Sequence, residues 1–275
     1  MEDRPEGPGL LRGGRVCRHV EMLCCWSDRM KPLSAKKRKT TLTGTFPDGP
    51  AGRPTVARTT PRRRKRTPEE VQEIFRRFHA LAPEPKGELA YSNPFTLVVA
   101  VVLSAQSTDA GVNKATRALF QLADTPEKMV ALGEENVREL IKTIGLYRNK
   151  AKNVILLSEK LIAEHGCEVP GDRDKLQSLP GVGRKTANVV LNIAFHQPTM
   201  AVDTHVFRVS HRLRLSKGST PDAVECDLMR IVPESYLMHA HHWLILHGRY
   251  TCKAVKPLCG TCVVADLCFA KDKRA

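Results

Sequence analysis

The stretch LPGVGRKTANVVLNIAF, residues 179–195, decides the fold. Gly181 and Gly183 form a tight turn, and a helical pattern follows at once with Ala187, Val190, Leu191 and Ala194 on one face. Such a turn presents backbone N–H groups at a helix start. Those donors and the positive end of the helix dipole suit a phosphate, and glycines let a nucleic-acid backbone come close. Gly181, Val182, Gly183 and Arg184 are therefore candidate phosphate contacts. The same residues also describe an ordinary corner between two helices, in which the glycines only permit positive φ. Lys185 lies in the first turn, where the dipole disfavours a cation, and it is either a reactive amine or a point charge on phosphate.

Working outward, AVDTHVFRV at 201–209 places Asp203 after an apolar pair and before a helical pattern of Val206, Phe207 and Val209. Asp203 marks a helix start, where aspartate is also a common cap. Thr67-Pro68, Asn93-Pro94, Thr125-Pro126 and Thr220-Pro221 each offer a cap followed by proline at the first helical position. Val71, Ile74, Phe75 and Phe78 keep the helical period, as do Val154, Leu157 and Leu161 before a stop at Gly166. The β-branched run Phe95–Leu103 has strand propensity, but its Asn93-Pro94 start and its continuation into Ser104-Ala105-Gln106 favour a buried helix. The expected fold is all-α, without internal repeats.

Of 44 basic and 29 acidic residues in 275, segment 1–66 holds 17 and 6, so its net charge is +11 and that of the remainder only +4. The runs Lys36–Lys39 and Arg62–Arg66 stand among Gly, Pro and Thr, a composition that cannot bury enough apolar surface to offset ordering. Segment 1–66 is expected to be a disordered basic extension. It reads either as a tether to DNA or as an unspecific tail preceding a later start. A polyanion is the natural partner, nucleic acid ahead of an anionic membrane. No apolar run reaches the roughly 18 residues of a spanning helix, and a soluble intracellular chain is expected.

Four of the nine cysteines close the chain as Cys252-x6-Cys259-x2-Cys262-x5-Cys268. Four thiolates this close point to one metal centre rather than a disulfide framework. Ligand count alone leaves both tetrahedral zinc and a [4Fe–4S] cluster open. His239, His241, His242 and His247 surround Trp243–Leu246 and read as parts of a buried helix rather than as ligands, since the cysteines already fill a ligand set.

LPGVGRKTANVV and AVDTHVFRV, with LSAQSTDAGVNKAT at 103–116 and IKTIGLYRNKAKNV at 141–154, resemble the helix–hairpin–helix DNA glycosylases, in particular the endonuclease III family, over residues 67–270. The resemblance implies a bifunctional glycosylase and abasic-site lyase of base excision repair, acting on damaged pyrimidines in duplex DNA. It implies Lys185 as nucleophile, Asp203 as its assistant, Gln106 filling the vacated space, and Leu146 wedging the base stack, although Leu146 alone reads as core. It decides the metal in favour of a [4Fe–4S] cluster, because the 6–2–5 spacing is similar to the family's, and it sets Lys253 and Lys256 against phosphate. It gives the histidines no catalytic role. Two lobes are implied, 88–197 with the hairpin, and 67–87 joined to 198–270 with the cluster.

An adenine-mismatch glycosylase is the nearest rival. It would lack the lysine, carry a carboxylate within 95–103, and need a further C-terminal domain. A non-catalytic DNA-binding module is the rival from another class. A monomer is expected, in a bacterial cytoplasm with the nucleoid, or in the nucleus or mitochondrion of a eukaryote.

Overall fold

The computed structural model describes residues 66–273. The expected disordered extension, apart from Arg66, lies outside the described residues. Among these the secondary structure is helical, with no strand. The helices are α1 (Pro68–Leu81), α2 (Pro94–Ser104), α3 (Asp109–Leu122), α4 (Pro126–Leu132), α5 (Glu134–Leu140), α6 (Tyr147–His165), α7 (Arg173–Gln177), α8 (Arg184–Phe195), α9 (Thr204–Arg212), α10 (Pro221–Ile231) and α11 (Glu234–Leu246). A π-helical turn, His247–Thr251, continues α11.

Helix starts follow the capping chemistry of the sequence. Thr67, Asn93, Thr125 and Thr220 each accept a backbone N–H from the first turn of α1, α2, α4 and α10, with proline at the first position. At Asn93 the Thr96 hydroxyl accepts the cap's own N–H in return, closing a box. That box settles the β-branched run: every residue from Phe95 to Leu103 is buried, so α2 is apolar all round and runs through the interior. Gly166 ends α6 in the left-handed conformation, with φ 57.

Buried side chains gather into two clusters. One is built from α2 to α8 and includes Val98, Leu103, Leu119, Leu157 and Leu191. The other joins α1 to α9–α11 through Phe75, Met200, Val206, Leu228 and Trp243. The chain therefore crosses between the cores twice, after α1 and after α8.

Helix α8 sits at the crossing and is tied down by buried amides. Asn188 Nδ2 donates to the Met200 carbonyl at 3.0 Å, and the Thr199 hydroxyl donates to the Asn188 carbonyl at 2.6 Å. Asn192 Nδ2 reaches the Gln197 carbonyl at 3.2 Å and the Met238 carbonyl at 3.0 Å. On its outer side Arg184 grips Glu225 of α10 through two bonds of 2.8 and 2.9 Å. Trp243 Nε1 donates to the Ala82 carbonyl at 2.7 Å, which fastens α11 to the end of α1.

Asn188→Ala should lower stability by about 1–3 kcal/mol, because it strands a buried carbonyl without a donor. Chemical denaturation followed by circular dichroism measures this, and an unchanged midpoint would show that the amide bond is not what holds the crossing.

Candidate active site and cysteine loop

One face of α8, carrying Lys185, Val189, Asn192 and Ile193, opens onto a cleft with room of about 540 Å³. Asp203 lies on the same cleft, with Leu97 and Val101 of α2 and Met238, His241, His242 and Ile245 of α11. Lys185 is exposed and Asp203 half-buried. The 17 intervening residues hold the rest of α8 and the returning segment. Asp203 caps α9, its Oδ1 accepting the Val206 N–H at 2.8 Å, so both readings of this residue coexist: one oxygen holds the helix while the carboxylate faces the cleft.

The turn before α8 has the expected form. Gly181 takes φ 79, and a Cβ there would lie 3.1 Å from the Asn153 side chain and 3.2 Å from Val102, so both conformation and packing require glycine. Gly183 precedes α8 with extended backbone and no side-chain cap, which leaves the first-turn amides to an outside acceptor. Val182 points inward and is buried. Arg184, expected on phosphate, is instead turned to Glu225, a nearly buried carboxylate that also attracts Arg173 at 3.8 Å. The correction has a simple cause: an uncompensated buried charge on Glu225 is costly, and Arg184 is the guanidinium within bidentate reach.

Gln106 and Leu146 stand on neighbouring loops, since a Cβ on Gly145 would lie 3.8 Å from the Gln106 carbonyl. Both are exposed, and both adopt left-handed backbone with φ 54 and 59. Non-glycine residues in that region cost about 1 kcal/mol or more, and such strain gathers at functional sites. Leu146 is 56% exposed, which corrects its reading as core. The loops are fastened by Lys150, a buried lysine of α6 whose Nζ donates to Ser107 Oγ at 2.8 Å; burial lowers its pKa. Arg249 joins the far side, contacting Glu88 and, at 2.6 Å, Asp109 at the start of α3. Neither Lys150 nor Arg249 had been marked by sequence, where nothing signals a partner 43 or 140 residues away.

Cys252, Cys259, Cys262 and Cys268 line one recess with Leu213, Leu258 and His247. Among the described residues no three His, Cys, Asp or Glu side chains converge as ligands of a single ion would. Sulfurs spread around a common recess fit a polynuclear cluster better than one zinc. Arg212 Nη1 and the Ala270 N–H donate to the sulfurs of Cys252 and Cys268, each at 3.4 Å, which suits thiolates. Burial pushes the Cys262 and Cys268 thiols up, so their deprotonation calls for positive charge of the kind a cluster supplies. Arg212 also donates to the Lys253 carbonyl at 2.6 Å, and Lys253 and Lys256 lie exposed on the loop so held.

Residues 99–234 match the family described as HhH-GPD superfamily base excision DNA repair protein, and residues 252–268 match the iron–sulfur binding domain of endonuclease III. The chain is 54% identical over 201 residues to endonuclease III of Escherichia coli strain K12, covering 73% of this chain and 95% of that one. Against endonuclease III of Treponema pallidum the identity is 56% over 198 residues, covering 72% and 94%. Two solved structures, a trapped endonuclease III–DNA covalent intermediate and a non-covalent endonuclease III–DNA complex, each match with a TM-score of 0.71 and 46% identity, covering 74% of this chain and 96% of theirs. The cofactor is a [4Fe–4S] cluster.

Three imidazoles line the cleft from α11, those of His239, His241 and His242. Burial, then His242 and Lys185, hold the pKa of His241 well below the ordinary imidazole value, while burial and then His239 bring His242 down to about 4. The unfolded chain binds a proton at His242 below about pH 6.5, whereas the folded chain does not until about pH 4; the shift at His241 has the same sign. The His242 contribution is thus complete above pH 6.5 and lost as pH falls toward 4. It amounts to as much as about 3 kcal/mol across that window. Urea titrations at a series of pH values should show this slope, and His242→Phe should flatten it; a slope untouched by that change would assign acid sensitivity elsewhere.

Proposed function

Because the chain belongs to the endonuclease III family of base excision DNA repair proteins, we propose that its glycosylase and lyase chemistry on duplex DNA runs through Lys185 and Asp203. The observation that carries this reading is the meeting of amine and carboxylate on one cleft beside an uncapped helix start.

The reacting sugar carbon cannot be reached inside a duplex, so the damaged pyrimidine nucleotide must leave the stack. Backbone amides of Gly181, Gly183 and the first turn of α8 bind a flanking phosphate, Leu146 enters the stack and Gln106 fills the gap. Lys185 Nζ then forms a bond to C1′ as the bond from C1′ to the base breaks and the electron pair departs with the base. Asp203 stabilises the positive charge that builds on the sugar. Loss of one proton from that nitrogen and cleavage of the C1′–O4′ bond, with O4′ taking up a proton, open the ring to a protonated Schiff base, which acidifies the 2′ C–H. Departure of that proton supplies the electrons that expel the 3′ phosphate and cut the strand.

Cys252, Cys259, Cys262 and Cys268 would hold the [4Fe–4S] cluster, whose coordination supplies the fixed shape of a segment with little core of its own. Lys253 and Lys256 on that loop meet phosphate, with Arg212 bracing the backbone beneath them. The division into a lobe of 88–197 and a lobe of 67–87 with 198–270 follows the two cores and sets the cleft between them. No described helix is long and apolar enough to cross a membrane. The protein works as a monomer wherever the cell keeps its DNA: a bacterial cytoplasm, or a eukaryotic nucleus or mitochondrion.

Lys185→Gln should abolish borohydride trapping on abasic-site DNA while leaving binding to that DNA largely intact, because the amine makes the bond and the hairpin amides hold the phosphate. Undiminished trapping would refute the assignment of Lys185. Asp203→Asn keeps an acceptor for the cap but removes the charge, so turnover should fall by about two orders of magnitude or more with folding intact. Near-normal turnover would reduce Asp203 to a cap.

A further inference from the structure

The cleft must do more than hold a sugar, because the base that leaves also has to be received and recognised. Its walls are largely apolar, with Leu97, Val101, Val189, Ile193 and Ile245 suited to the faces of a ring. Recognition of the ring's polar edge then falls to a few polar side chains, and most of these are already engaged. Asn192 is spent on the Gln197 and Met238 carbonyls, Arg249 on Glu88 and Asp109, and the Ser104 hydroxyl on the Val101 carbonyl. Lys185 and Asp203 serve the sugar in the reading above.

His241 and His242 remain, each with a buried Nδ1 that has no hydrogen-bond partner; of the two, His241 is the more deeply buried and the one that feels the charge of Lys185. It lines the cleft, is 1% exposed, and its Nδ1 is sealed from solvent without a hydrogen-bond partner. The ring therefore reaches the cleft through its opposite edge, at Nε2. His242 lies against it, with ring centroids 3.9 Å apart, and fixes its plane. A neutral imidazole carries one N–H and one lone pair. Proteins tolerate a buried acceptor without a partner better than a buried N–H without one, which puts the proton on Nε2. The depressed pKa keeps the ring neutral next to the Lys185 amine, so it does not add a second cation to the site.

We propose that His241 is a specificity and leaving-group residue, donating its Nε2–H to a carbonyl oxygen of the extruded pyrimidine. Resting on the glycosylase reading above, the proposal names what that site reads on the base. Negative charge grows on the ring as its bond to C1′ breaks, so a donor at the carbonyl binds the transition state more tightly than the intact nucleotide. The contact assists base release and has no role once the base is gone.

The test compares two duplexes, one bearing thymine glycol and one a preformed abasic site, under single-turnover conditions. His241→Phe keeps the ring volume and removes the donor. Base release should fall about tenfold or more, the scale of one lost hydrogen bond in a dry site, while abasic-strand cleavage and borohydride trapping stay at the wild-type level. His241→Gln, which restores an N–H donor, should recover part of the loss. Base release undiminished in His241→Phe overturns the proposal, and so does a parallel fall on both duplexes, which marks a structural role. Wild-type protein that neither releases the base nor traps on abasic DNA would instead defeat the glycosylase reading itself. Should His241→Phe fail to fold, imidazole 15N resonances of the wild-type holoprotein decide. The His241 Nε2 signal should shift with a 2′-fluorinated thymine glycol duplex, which resists base loss, and not with a tetrahydrofuran abasic duplex. Equal response to both overturns the proposal.

Discussion

Asn188 is fully buried in the second turn of α8, and its amide donates to the Met200 carbonyl while the Thr199 hydroxyl donates back to its own carbonyl. Lys185 stands just before it on the same helix, and Asp203 just beyond Met200 on the returning chain. Two hydrogen bonds of ordinary net worth therefore fix Lys185 and Asp203 with respect to one another. Each is expensive to break because the polar atoms it frees have no water to turn to. The apolar clusters on either side give the fold its stability, but they are non-directional, and this polar seam sets the register between them.

The second constraint is what α8 leaves undone. Helices α1, α2, α3, α4, α7, α9 and α10 have side chains accepting their first-turn amides, whereas α5, α6, α8 and α11 have none. Helix α6 begins after Leu146, whose backbone is left-handed, and α8 begins shortly after Gly181, where conformation and packing require glycine. At α6 and α8 a missing cap coincides with strained or glycine-restricted backbone, and both are points that meet DNA in the proposed mechanism. The strain at Leu146 and Gln106 is carried by neighbours such as Lys150, whose buried amine ties α6 to the Gln106 loop.

These features were unevenly legible in the sequence. Helix starts and core faces could be read because both depend on near neighbours: Thr67 needs only Glu70, and Val71 with Phe75 needs only the helical period. Phe95–Leu103 was decided by its cap, since its composition alone fits a strand equally well. Lys185 and Asp203 were marked by family resemblance, as an exposed lysine and an N-terminal aspartate otherwise have bland explanations. What could not be read is side-chain pairing across long separations. Arg184 looked like a phosphate ligand until Glu225 was found opposite it, and His241 looked like filling until its ring was found on the cleft with an idle nitrogen. The doublet of histidines beside Trp243 was the available signal, and helical periodicity treats it as core.

Bulk charge also misleads about how the folded part meets DNA. Its arginines are largely consumed within the protein: Arg76 and Arg77 on Glu73, Arg138 on Glu134 and Glu135, Arg184 on Glu225, Arg230 on Asp227, and Arg249 on Glu88 and Asp109. A guanidinium already bonded to carboxylates adds little net field at a distance, because the pair is nearly neutral and salt screens the remainder. In the proposed mechanism, positioning on phosphate falls to backbone amides at the hairpin and to exposed lysines such as Lys253 and Lys256. Amides supply directionality rather than reach, which is what a site needs if it must hold one sugar carbon in front of one amine.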